Sequence, residues 1–184
     1  PMSLQSVQLR RPGELDAGLD EMLRRLRGRG VCHDVRVLYV IGAHRFQERH
    51  LLDELFPNLE RIYLFHPLPE VQAVLRAIAR QDPRVRVFAV AISNRDGTAR
   101  FIRTDNRGMS SSLLRMKKHR EHFPGVHEVE EIEVPTRTLD SLIREHALEA
   151  PDMLFMDVQG AEFTILESLP AALKATLHLI YTEA

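Results

Sequence analysis

The feature that most constrains this chain is the alternation running through its first half. Val35 to Ile41 is a short apolar run, rich in β-branched residues and closed by Gly42. It reads as a buried strand. Phe46 to Phe56 has helical spacing and ends at Pro57. Ile62 to Phe65 is a second short strand, stopped by Pro67 and Pro69, because the residue before a proline is pushed out of the helical region. Glu70 to Arg80 sets Val71, Val74, Leu75 and Ile78 on one helical face, and Val85 to Ile92 is a third apolar strand. Strands and helices that alternate over short connections predict parallel strands joined by right-handed crossovers.

The rhythm then changes. Thr98 to Arg103 reads as a strand returning from a turn at 94–97, and 104–112 as a polar loop. A short basic helix is expected around Arg115–His122. Glu128 to Val134 alternates acidic and apolar residues, as a half-exposed strand does. Leu139 to Ala147 reads as a helix with Pro135 just ahead of it. Met153 to Asp157 is another buried strand, Ala161 to Leu169 a helix, and Leu177 to Tyr181 a last strand. Upstream, Leu15, Leu19, Met22, Leu23 and Leu26 share the face of a helix over 14–28, which Gly28 and Gly30 stop. The chain thus divides into an N-terminal helical extension, 1–34, and one α/β domain, 35–184, and both ends read as cuts.

Charge narrows the range of partners. The 184 residues carry a formal net charge of -1, so there is no electrostatic case for nucleic acid or a membrane surface. The cluster Arg24, Arg25, Arg27 and Arg29 reads as a solvated helix face. No apolar run reaches the roughly 20 residues that span a bilayer, and no secretory leader is visible. Cys32 is the only cysteine. It cannot form an internal disulfide, which fits a reducing, cytoplasmic setting, and it reads as a small buried residue. Among nine histidines, His119, His122 and His127 lie close together, but no set has the number and spacing of ligands that a zinc site needs. No metal is expected.

Open α/β sheets bind ligands beyond the carboxyl ends of their strands, where the strand order reverses. The positions that matter are therefore Gly42-Ala43-His44, His66, Ser93, Asp157 to Gly160 and Glu183. Gly42 permits a sharp turn and close approach. Asp157 ends a buried strand, where an ionised carboxylate needs a partner or a task. Capping of backbone amides and a role in binding are both open for it. Glu162 falls in the first turn of the next helix, where negative charge is favoured. There is neither a G-x-G-x-x-G nor a G-x-x-x-x-G-K-[ST] pattern, which argues against dinucleotide and phosphate-loop sites.

Taken together, six blocks resemble the FkbM family of methyltransferases. They are Val37 to His44, Ile62 to Pro69, Ala89 to Ser93 with Asp96-Gly97, Ser110 to Leu113, Ile132 to Thr136 with Leu139-Asp140-Ser141-Leu142, and Pro151 to Glu162. The resemblance covers roughly 36–184. It implies a Rossmann-like methyltransferase fold, a three-layer sandwich around a mostly parallel sheet, with the last two of seven strands missing. It also implies O-methylation of a small molecule or glycan from S-adenosylmethionine. By resemblance Gly42, Ala43, His44, His66, Ser93 and Asp157 surround the cofactor. Asp157 aligns cofactor or substrate, and His119 or His122 serves as base. Glu183 is a further cleft-facing acid. The chain departs from the family pattern at Val40, where Asp is usual, at Phe46, where Gly is usual, and at His66, where Glu is usual. These departures keep two alternatives open: a non-catalytic binding module of the same fold, and a nucleotide- or sugar-binding domain of another class. Nothing in the sequence specifies an oligomeric state.

Overall fold

The structure, a computed structural model, describes Leu26, residues 30–104 and residues 128–182. After a 3-10 turn at Val31–His33, its strands and α-helices run in chain order β1 (Val37–Ile41), α1 (Arg49–Leu55), β2 (Arg61–Phe65), α2 (Pro69–Gln81), β3 (Val85–Phe88), β4 (Ala91–Ile92) and β5 (Gly97–Thr104). They continue with β6 (Glu128–Arg137), α3 (Leu139–His146), β7 (Met153–Met156), α4 (Glu162–Ser168), α5 (Ala171–Thr176) and β8 (Leu179–Thr182). Five strands form the central sheet in the order β3-β2-β1-β7-β8, and every neighbouring pair is parallel.

The sheet is covered on both faces, which is why its strands read as continuous apolar runs. Leu38 and Val40 of β1 pack with Leu52 and Leu55 of α1 and with Val71 and Leu75 of α2. Tyr39 and Ile41, pointing the other way, pack with Leu139 and Leu142 of α3, Ile165 of α4 and Leu173 of α5. Two helical layers therefore enclose the sheet, as the α/β reading expected. At roughly 25 cal/mol per Å² of apolar surface removed from water, these two cores are the main favourable term in folding.

A second sheet, β4-β6-β5, sits beside the first. β4 and β6 are parallel and β5 and β6 antiparallel. Here the structure corrects the sequence reading. The run Val85 to Ile92 is two strands, because the chain bends at Ala89–Val90 and β4 leaves β3 to pair with Thr136 and Arg137 of β6. Both halves are apolar, so hydrophobicity alone does not mark the bend. β6 runs on through Pro135 to Arg137. The proline is accommodated because β4 first meets β6 at Thr136, leaving Pro135 only β5 as a neighbour. The helix expected from Phe46 begins at Arg49, after a turn. Helix α5, between Pro170 and β8, was not anticipated. The expected elements at 14–28, 104–112 and 115–122 lie outside the described residues, apart from Thr104, which ends β5, and Leu26, which packs against the core on the α1–α2 side.

The Leu139-Asp140-Ser141-Leu142 block starts α3. The Thr138 hydroxyl accepts a hydrogen bond from the Ser141 amide at 3.1 Å, a standard N-cap. Asp96 in turn accepts from the Thr138 amide at 2.7 Å. The turn that opens β5 is thereby tied to the helix that leads into β7.

Candidate functional site

Strand order reverses between β1 and β7, so the crevice of an open α/β sheet should lie at their carboxyl ends. A crevice is found there. Its floor is Gly42, Asp157 and Val158, and His44 and His66 stand on one side. The β1–β7 ladder continues one step beyond the strands, with the Asp157 amide donating to the Ile41 carbonyl at 3.0 Å. This brings the carbonyl of Asp157 over Gly42, so that a Cβ on Gly42 would overlap its oxygen. Gly42 also has φ 84°. Glycine is thus required by contact with the neighbouring strand and by backbone conformation, not by a ligand reaching into the turn. The amides of Gly42 and Ala43 both donate to the Phe65 carbonyl, at 3.0 and 3.2 Å.

His66, at the end of β2, is buried. Its Nδ1 accepts a hydrogen bond from the Leu68 amide at 3.2 Å. In a neutral imidazole only one ring nitrogen accepts, so the proton is on Nε2. Burial, with a smaller repulsion from His44, lowers its pKa from 6.5 to about 3. His66 therefore presents a neutral N–H donor where a carboxylate would present acceptors. Its ring lies 6.1 Å from that of His44 and 6.4 Å from that of Phe101, centroid to centroid. Behind it, the Gln72 amide donates to the carbonyls of His66 and Phe88, clamping the ends of β2 and β3 to α2.

The turn from β7 into α4 is held by Glu162. Its carboxylate accepts from the amides of Val158 (3.0 Å) and Gly160 (2.9 Å). Charge-assisted bonds of this kind suit the backbone here, because Gln159 (φ 57°) and Gly160 (φ 105°) both take left-handed conformations. Asp157 accepts from the Gln159 side-chain amide at 2.6 Å. Glu162 thus caps two amides of this turn, and Asp157 lines the crevice.

The remaining walls are apolar: Phe65, Val90, Ile92 and Phe101. Sequence reasoning passed over all four as site residues. Val90, Ile92 and Phe101 arrive from the second sheet and from the bend leading to it. The available signal was length, since an eight-residue run from Val85 exceeds the usual five or six of a strand. Of the residues that the family resemblance brought forward, the structure brings Gly42, His44, His66 and Asp157 together. Ala43 is turned into the core on the α1–α2 side. Ser93 lines an adjoining groove. His119, His122 and Glu183 lie outside the described residues.

The three departures separate in the same way. Val40 is buried on the α1–α2 side, away from the crevice. Phe46 has φ 49°, the left-handed backbone that a glycine adopts without strain, but its ring is buried in that same core and does not obstruct the crevice. His66 is the one departure that lines it.

A family model described as the methyltransferase FkbM domain matches residues 41–184. The chain is 32% identical over 153 residues to the 2-O-methyltransferase NoeI of Sinorhizobium fredii (strain NBRC 101917 / NGR234), an alignment covering 80% of this chain and 62% of NoeI. The crystal structure of an FkbM methyltransferase from Methylobacillus flagellatus KT superimposes with a TM-score of 0.52 at 16% identity, covering 80% of this chain and 33% of that one. That likeness is one of fold. The chain thus spans under two thirds of the length of either protein. With a model match over most of its length and a relative of this identity, the chain belongs to the FkbM methyltransferase family.

Proposed function

We propose that this chain forms the cofactor-binding part of an O-methyltransferase that transfers a methyl group from S-adenosylmethionine to a hydroxyl of a small molecule or glycan. The observation that carries the reading is the crevice at the β1–β7 reversal, where one carboxylate faces apolar walls. That donor set fits a ligand with a cationic centre and a flat apolar ring. The hydroxyl acceptor is supported by the relative, which is named as a 2-O-methyltransferase.

When bound, S-adenosylmethionine supplies a methyl group carried as an electrophile on a sulfonium. In this reading Asp157 holds the positive charge, and its attraction is stronger in a partly desolvated crevice than in bulk water. Phe65, Ile92 and Phe101 exclude water and bound the flat ring. His66 donates Nε2–H to an acceptor atom of the ligand. Gly42 and His44 complete the wall, and Ala43 supports the turn from beneath. Positioning of the acceptor supplies much of the rate, and His119 or His122 is assigned as the base that takes the hydroxyl proton. No helix among the described residues is long and apolar enough to cross a membrane, and the single, buried Cys32 fits a cytoplasmic assignment.

Calorimetry with S-adenosylmethionine tests the reading. The wild-type chain should bind, and Asp157→Ala should bind about tenfold more weakly or worse, the loss of one charge-assisted contact. Its circular dichroism should be unchanged. No heat from the wild type at millimolar cofactor would instead favour a non-catalytic binding module.

A further inference from the structure

Between β1 and α1 the chain makes two tight turns that share one corner, Phe46. The Phe46 amide donates to the Ala43 carbonyl at 2.8 Å and closes the first turn. The Arg49 amide donates to the Phe46 carbonyl at 3.4 Å and closes the second. At the shared corner φ is 49°. A bulky L-residue is an outlier there, because its Cβ crowds the following carbonyl. Strain of this kind persists only where the surroundings over-determine it, and it clusters at ligand sites.

The Phe46 side chain is 3% exposed and belongs to the core on the α1–α2 side, with Leu52, Leu55 and Cys32. Burying a phenylalanine offsets the left-handed penalty, so the ring holds a corner that the backbone alone would leave. Ala43, at the other stem of the first turn, is buried in the same core. Both stems are thus anchored, and the tip between them is His44 and Arg45. His44 lines the crevice, its ring 6.1 Å from that of His66. The N-cap of α1, Glu48, makes no side-chain capping bond, so the start of the helix lends the corner little support.

We propose that Phe46 is a positioning residue of the crevice, whose buried ring holds the left-handed corner that sets His44 on the wall beside His66. The phenylalanine does by burial what a glycine at this place does by conformational freedom. The assignment rests on the proposed methyl transfer for its purpose, but the corner itself does not require the cofactor.

Variants that remove the same ring separate backbone from burial. Phe46→Ala keeps a Cβ at the corner with nothing to hold it there. Phe46→Val keeps part of the burial but adds a β-branch to the strained backbone, so it reads the same contrast with a smaller core cavity. Phe46→Gly loses the ring yet takes the corner freely. All three should lower the urea midpoint, as should Leu59→Ala, a control in the same core just before β2. The geometric readout is the nuclear Overhauser contact between the rings of His44 and His66, recorded on folded protein without cofactor. It should be present in the wild type, Phe46→Gly and Leu59→Ala, and absent from Phe46→Ala and Phe46→Val. Calorimetry with S-adenosylmethionine should follow it, the alanine and valine variants binding about tenfold more weakly and the other two matching wild type. A contact that survives in Phe46→Val, is lost in Phe46→Gly or Leu59→Ala, or is absent from the wild type would overturn the assignment. A wild type that shows the contact but gives no cofactor heat would overturn the methyl-transfer reading and leave the corner standing.

Discussion

The two rims of the central sheet use polar residues in opposite ways. At the amino-terminal rim they are spent on one another. Asp152 accepts from the amides of Arg36 and Val37 at 2.9 and 2.8 Å. Tyr39 donates to the Glu149 carbonyl, and Tyr63 to the Glu149 carboxylate. The Tyr63 hydroxyl holds that carboxyl below its usual range. Asp82, buried just before β3, meets both Arg84 and Arg49 at 2.7 Å. The Arg84 hydrogen bonds lower its pKa to about 2. At the carboxyl-terminal rim such residues surround a crevice instead. There the backbone is left-handed at Gly42, Phe46, Gln159 and Gly160, His66 is buried and neutral, and Asp157 lines a crevice. The pattern teaches where strain and burial are tolerated. One rim closes its charges into pairs and stabilises the sheet, while the other gathers left-handed residues around a crevice, as ligand sites do.

The sharpest test of this contrast is Gly42→Ala. The added Cβ meets a backbone carbonyl on the neighbouring strand and must also take φ 84°. Overpacking and a forbidden backbone together should cost about 4 kcal/mol or more, read as a drop in the urea midpoint, and cofactor heat should vanish with it. A milder loss would mean that the β1–β7 contact gives way easily.

Asp82→Ala belongs to the other rim. Removing the buried carboxylate takes one partner from Arg84 and from Arg49, which both keep Asp53, and the cost should be about 2 kcal/mol. Cofactor affinity measured on the folded protein should not change. If it falls, the rims are coupled and the contrast fails.

The third test uses pH. The pKa of His66 is depressed in the folded chain, from 6.5 to about 3. The unfolded chain therefore takes up a proton before the folded one does. The contribution of the neutral histidine is fully present above pH 6.5 and is lost as pH falls toward 3, by about 1.4 kcal/mol per pH unit below roughly pH 6. His66→Gln should flatten the fall in thermal midpoint between pH 6.5 and 4.5, above the range where most carboxylates titrate. Parallel wild-type and variant curves would show that His66 is charged or solvated.

The smallest effect is expected at Ala147, which ends α3 with φ 47°. Ala147→Gly relieves the left-handed strain but adds entropy to the unfolded chain, for a net gain of about 0.5 kcal/mol. A loss of stability would mean that the methyl group packs usefully.

Much of the crevice could be read without coordinates. Gly42, His66 and Asp157 each follow a buried strand, and the rule that ligands sit beyond strand ends leads directly to them. Its apolar side could not be read so. Val90, Ile92 and Phe101 belong to residues that look like ordinary core, and only the bend at Ala89–Val90 turns them toward the crevice. The state of His66 was equally hidden. Its tautomer depends on the Leu68 amide, and its neutrality on burial, neither of which a sequence displays.

The sequence by itself determined the layers, the parallel strands and the helical faces, because hydrophobic period and strand–helix alternation are local and survive in one dimension. It also determined family membership, since blocks kept in order do not depend on coordinates. Tertiary structure alone decided that the third apolar run divides between two sheets and that Phe46 and Val40 point away from the crevice. It also decided that Glu162 caps the turn after β7. The physical reason is the same in each case: direction and partner depend on what packs opposite, and that is set by residues far away in the chain.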